Sequence, residues 1–208
     1  MFWLTITALA AEPLLDHMDG HFAAATDTMS DVSTGEFERA RMEVSRLDHE
    51  PPDALGEELH AYVAGVRSAA RAVAASPNMQ EIADAVGQLG TACAACHKAA
   101  GGGARRAPRF DRDISEYSEQ RRHMWTLNWL WYGLVVPDDG AWEAGANLAA
   151  LPPARYRRAG AQRLVRAYET AARDAGEAKT DAERASTFGA ILATCAACHE
   201  ATGVSLSP

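Results

Sequence analysis

The chain has no apolar run that approaches the ~18 residues needed to cross a bilayer as a helix, so no membrane span is expected. Aromatic residues make up only 7% of it. Strand-like alternation of Val, Ile, Thr and Tyr is scarce, which argues against a sheet architecture. Basic residues are outnumbered: 20 Lys and Arg against 28 Asp and Glu give a net charge of −8. The pI is near 5.3. Binding nucleic acid requires a basic face that neutralises phosphates, so nucleic acid is not an expected partner. Such a charge would suit a basic partner surface, but an ordinary solvated acidic face is the commoner explanation. Cysteine is the most informative scarcity, with four among 208 residues.

Ala, Glu, Arg, Leu and Gln fill the chain instead, and these favour helix. The expected fold class is all-α. The N-terminal MFWLTITALAAE ends in Ala8-Leu9-Ala10, which has the form of a secretory cleavage site. Residues 1–11 are therefore expected to be the remnant of a signal whose start lies upstream, since no Lys or Arg precedes the short apolar stretch. A buried N-terminal segment is the alternative.

All four cysteines fall in two copies of one string, TCAACHKAAGGG at 91–102 and ATCAACHEATG at 193–203. A shift of 102 residues lays Cys93 on Cys195 and brings other positions into register. Pro51 falls on Pro153, Val63 on Val165, Arg71 on Arg173, Glu81 on Glu183, Gly87 on Gly189, and His21 on His123. The pattern indicates tandem duplication of one unit. GGGARRAPRF at 101–110 reads as the junction, with glycines that end a helix and a proline that delays the next. The expected units are 12–102 and 112–208, with 103–111 as linker.

Each unit reads as four helices. In the first, a helix runs from about Pro13 to Val32, and a second follows capping-box spacing at Ser33–Glu36 and ends near Leu47. A third runs from about Asp53 to Ala75. A fourth starts from Ser76-Pro77 and ends near Ala100. The second unit repeats this, broken at Pro137–Gly140, Pro152-Pro153 and Lys179-Thr180, with a capping box at Thr180 and Glu183. Four helices with short connections pack as an antiparallel bundle, so two tandem bundles are expected.

Positions i and i+3 share a helix face, so Cys93 with Cys96, and Cys195 with Cys198, each present two thiols to one flat edge. The next residue, His97 or His199, can turn its imidazole onto an iron. Cys-x-x-Cys-His is therefore read as covalent attachment of haem c, one group per unit. A single zinc shared by the two pairs would need ligand pairs far closer in sequence. A dithiol redox centre would need a βαβ setting. A disulfide across so short a spacing meets tight bridge geometry.

Only nine residues follow His199, so a haem there is expected to pack on helices that precede its motif. With the motif closing the last helix of each unit, the chain resembles the cytochrome c-prime superfamily, the class II c-type cytochromes. Cys93, Cys96, His97 and Cys195, Cys198, His199 carry that resemblance, and the duplication departs from it. The resemblance implies proximal ligation by His97 and His199 and a distal side that faces the first helix. It also implies export, because bacteria attach such haems outside the cytoplasm, and makes a homodimer one expected state.

The first helices offer His17, Met18, His21 and Met29 in one unit and His123 and Met124 in the other. His21 precedes Cys93 by 72 residues, and His123 precedes Cys195 by the same 72. Met18, Met29, His17 and Met124 have no such counterpart. His21 and His123 are thus the expected distal ligands, against a pocket hydrogen bond, a solvated histidine or a methionine ligand. Two imidazoles would close the iron and leave single-electron exchange with redox partner proteins as the expected function. The rival reading is a gas-binding or sensing haem protein with an open sixth position. An enzyme ranks last, because no matched carboxylate or arginine pair flanks His21 and His123. Trp125, Trp129, Trp131 and Trp142 are expected to pack the core and haem edge. Arg71 and Arg173 are expected to make surface salt bridges rather than hold propionates. Arg105, Arg106, Arg109 and Arg112 are assigned to a solvated linker.

Overall fold

The computed structural model describes residues 11–49, 55–102, 119–151 and 159–203. The chain is all-α, as the composition leads one to expect. Its eight described α-helices are α1 (Ala11–Thr34), α2 (Phe37–Ser45), α3 (His60–Ala75), α4 (Met79–Ala99), α5 (Glu119–Val135), α6 (Asp139–Ala149), α7 (Ala159–Glu177) and α8 (Asp181–Thr202). A short 3-10 turn at Glu57–Leu59 precedes α3. The expected signal remnant apart from Ala11, the linker with its arginines, and the Pro51, Pro152 and Pro153 breaks lie outside the described residues.

Three helix starts differ from the sequence reading: the helix expected from about Asp53 begins at His60, after the 3-10 turn, and the other two differences are local chemistry. The box expected at Ser33–Glu36 does not form. The Ser33 hydroxyl donates to the Ser30 carbonyl and Thr34 to the Asp31 carbonyl, which carries α1 through to Thr34. Gly35, at φ +83°, then turns the chain, and Glu36 precedes α2 without a side-chain cap. Asn78 rather than Ser76 caps α4: its side-chain oxygen accepts from the Glu81 N–H at 3.0 Å. Ser76 closes α3 instead by donating to the Ala72 carbonyl at 2.8 Å. The box at Thr180 and Glu183 forms in full, and Asp138 caps α6 through the Ala141 N–H.

One buried apolar cluster takes side chains from all eight helices, among them Met29, Val44, Val73, Leu89, Leu130, Trp142, Ala175 and Phe188. Its axis is the pair α4 and α8, the two motif-bearing helices. A Cβ added to Gly87 would stand 2.2 Å from the Ala185 carbonyl oxygen. A Cβ on Gly189 would stand 2.9 Å from an Asp84 carboxylate oxygen and 3.1 Å from the Ala83 carbonyl oxygen. These contacts exchange under the 102-residue offset, as at an isologous interface. Hydrogen side chains at both positions let the backbones touch. Position 87 meets 185 while 83 meets 189, and Lys98 at the end of α4 pairs with Asp181 at the start of α8, so the helices run antiparallel.

The flanking helices cross between units. α1 packs more extensively on α8 than on α4, and α5 more on α4 than on α8. Gly90 of α4 makes room for Leu134 and Trp131 of α5. The Trp131 indole N–H donates to Thr26 of α1 at 3.2 Å, and its ring stacks on Phe188 at 5.5 Å between centroids.

Candidate haem-attachment sites

Cys93, Cys96 and His97 lie on the last turns of α4, and Cys195, Cys198 and His199 on the last turns of α8. All four cysteines are free thiols and partly buried. Burial first, and then the neighbouring thiol of each pair, push Cys93 and Cys195 up to about 12. Burial raises Cys96 and Cys198 as well. A reactive dithiol needs its pKa lowered, so this environment opposes thiolate redox chemistry. Because α4 and α8 are antiparallel, the two motifs stand at opposite ends of the pair, with Cys93 and Cys195 about 24 Å apart along the axis at ~1.5 Å per residue. One zinc ion cannot reach both.

The first motif histidine is held from across the duplication. His97 Nδ1 lies 2.7 Å from the carbonyl oxygen of Val135, at the end of α5, and donates to it. That carbonyl is among those a helix leaves without an intrahelical partner. The bond fixes the tautomer and leaves Nε2 with its lone pair, the state an iron ligand requires. His199 differs: its Nδ1 is buried without a hydrogen-bond partner, and burial lowers its pKa.

His21 and His123 occupy α1 and α5 as expected, both partly buried. His21 sits 4.0 Å from the His17 ring, centroid to centroid, and its Nε2 is buried without a hydrogen-bond partner. Burial, then His17, then His49 bring its pKa down to about 4. A neutral imidazole with an unpartnered inward nitrogen fits a ligand role. His123 lies 5.7 Å from the Tyr168 ring of α7. Burial, and then Cys195, raise the Tyr168 hydroxyl, so phenol, thiol and imidazole share one neighbourhood in the second unit. The methionine alternatives fare differently: Met29 is packed in the core, Met18 is partly buried, and Met124 is 58% exposed. The donor types and the unpartnered His21 Nε2 are compatible with haem ligands, and Tyr168 links His123 to the neighbourhood of Cys195, whereas the contacts of His21 are with His17 and His49 rather than with Cys93 or His97.

Of the four tryptophans expected in the core, Trp131 and Trp142 are buried and Trp125 and Trp129 half-buried, and Trp142 donates to the Ala175 carbonyl at 3.0 Å. Arg71 grips Asp48 with two nitrogens, at 2.9 and 2.7 Å, and Arg173 is exposed. Sequence reasoning missed Tyr168 and the Val135 carbonyl. The offset places Tyr168 on Val66, an inequality visible in the sequence, whereas a backbone acceptor leaves no trace in it. No protein-family model, curated protein or solved structure matches the chain.

Proposed function

We propose that the chain is an exported dihaem c-type cytochrome of the class II kind, which passes single electrons between redox partner proteins. The duplicated Cys-x-x-Cys-His motif is the observation that carries this reading, supported by the carbonyl that holds His97 in the ligating tautomer. Two interlocked four-helix units are the arrangement in which it would work. Cys93 with Cys96, and Cys195 with Cys198, would tether the two groups, each pair from one helix face. His97 and His199 would be the proximal ligands and His21 and His123 the distal ones. Haem bound there would supply a one-electron couple with two imidazoles on the iron.

The protein's part is to hold and shield. The thiols stay protonated and inert until they are consumed by attachment. The apolar cluster behind each motif excludes water and favours the less charged state of a buried centre. With both axial nitrogens supplied by the chain, an electron can come and go without a change of ligand.

The deciding experiment is haem content and ferric EPR of the purified holoprotein. Two haems per chain with low-spin signals, each turned high-spin by one of His21→Ala and His123→Ala, are the expected result. High-spin iron in the parent would instead favour the gas-binding reading, and absence of covalent haem would overturn the cytochrome reading altogether.

A further inference from the structure

The two motif histidines occupy the same place in their motifs and are held differently. His97 donates from Nδ1 to the Val135 carbonyl oxygen at 2.7 Å. His199 has its Nδ1 buried, with no hydrogen-bond partner among the described residues. A carbonyl as such is not what the second site lacks. The 102-residue offset lays Val135 on Ser33, which also lies in the last turn of a first helix, α1. The turns that follow share a backbone bond: the Glu36 N–H donates to the Asp31 carbonyl at 2.8 Å, and the Asp138 N–H to the Gly133 carbonyl at 3.1 Å. The inequality is therefore one of placement rather than of residue type. The bond to His97 also crosses between units, because Val135 closes α5, the helix that carries His123.

We infer that the Val135 carbonyl is a positioning group that makes the two sites unequal, the His97 site being the harder to reduce. An imidazole that gives its Nδ1 proton to an acceptor becomes a more basic ligand through Nε2. A more basic ligand favours ferric over ferrous iron, so it lowers the potential of the site it serves. The unpartnered Nδ1 of His199 brings no such gain. An electron shared between the two sites thus rests mainly at the His199 site. This rests on the proposed haem reading and adds to it an order of the two potentials.

The experiment has two parts. In the haem-free chain, nitrogen-resolved proton NMR reads the tautomers. His97 is expected with its proton on Nδ1, shifted downfield and slow to exchange, and His199 without a downfield Nδ1 proton. A His97 proton on Nε2 overturns the inference. In the holoprotein, a redox titration reads two couples, assigned by the His21→Ala and His123→Ala variants. The couple of the His97 site is expected to lie lower. His97→Nδ-methylhistidine keeps Nε2 and removes the donor. It should raise that couple and reduce the preference of the electron for the His199 site about five-fold, the effect of one net hydrogen bond, with the other couple unmoved. A parent whose His97 site lies level or higher overturns the order. A methylated protein with two haems and unmoved couples overturns the part played by the carbonyl. Both results leave the cytochrome reading intact. An equal shift of both couples also overturns the inference, as a general change in packing. If the methyl group prevents attachment, the tautomers and the order in the parent still decide. A parent without covalent haem overturns both inferences at once.

Discussion

A burial that suits a ligand should be measurable before any ligand is added. In the haem-free chain, His21 titrates at about 4 when folded, against 6.5 as the reference value. Between those values the unfolded chain holds the extra proton, so its stability rises with pH. The contribution is complete above 6.5 and lost as pH falls to about 4. Urea unfolding of the haem-free parent and of His21→Gln should therefore differ by a constant amount above pH 6.5, and below it the parent alone should lose stability as pH falls to about 4. Parallel curves would place the burial of His21 elsewhere than in the folded state. Duplication has also let residues drift in pairs. Arg184 spans Asp139, at 2.7 Å, and the Trp142 ring, at 5.3 Å, where the first unit has Ile82 and Ala40. Trp142→Ala should cost about 3–5 kcal/mol in chemical denaturation, because it empties the core and leaves Arg184 over a void. At this scale the chemistry-bearing residues were legible, because Cys-x-x-Cys-His is local in sequence. The partners of His97 and His123 were not, since one is a carbonyl and the other comes from a different helix.

Between elements, the antiparallel contact of α4 and α8 is sharply testable. Gly87→Ala drives a methyl to within 2.2 Å of the Ala185 carbonyl, and since backbone cannot swing aside, the helices must part. A loss of about 1–3 kcal/mol or more is expected, read as a lower thermal midpoint. Gly20→Ala is the matched control: the space is open and helix propensity improves, so the midpoint should hold or rise by the equivalent of about 0.5–1 kcal/mol. Thr180→Ala removes the hydroxyl that accepts from the Glu183 N–H, leaves the backbone arm of the capping box in place, and should cost about 1 kcal/mol. Helix existence was plain from composition and punctuation. Starts were less so: Ser76-Pro77 and Asn78 are both sound capping chemistry, and the outcome turned on Ser76 bonding back to Ala72 to finish the preceding helix. The sequence showed Gly87 and Gly189 in register, but not that each faces the other's helix.

Across the whole molecule, one buried cluster joins both units, which the local signals could not convey, because tandem repeats read alike whether they fold apart or interlock. The antiparallel axis sets the two motifs at opposite ends. Spin labels on Cys93 and Cys195 of the haem-free chain, with Cys96 and Cys198 changed to alanine, should report a separation of about 24 Å or more, the axial distance given by ~1.5 Å per residue. A separation near 10 Å would mean the helices run the other way. On the proposed cytochrome reading, centres so placed would meet partners at two distinct surfaces rather than through a single docking patch.

The Gly87–Ala185 and Gly189–Ala83 contacts carry a last consequence. Each half of the chain presents a glycine and an alanine carbonyl, and each needs the same two features opposite. Such a face does not distinguish its natural mate from a second copy of itself. If the chain were cut between residues 102 and 119, a mixture of the pieces would sort into three pairings, two of them between identical partners. The swapped hold of Val135 on His97, which has no counterpart at His199, would be what tips that sorting towards the mixed pair.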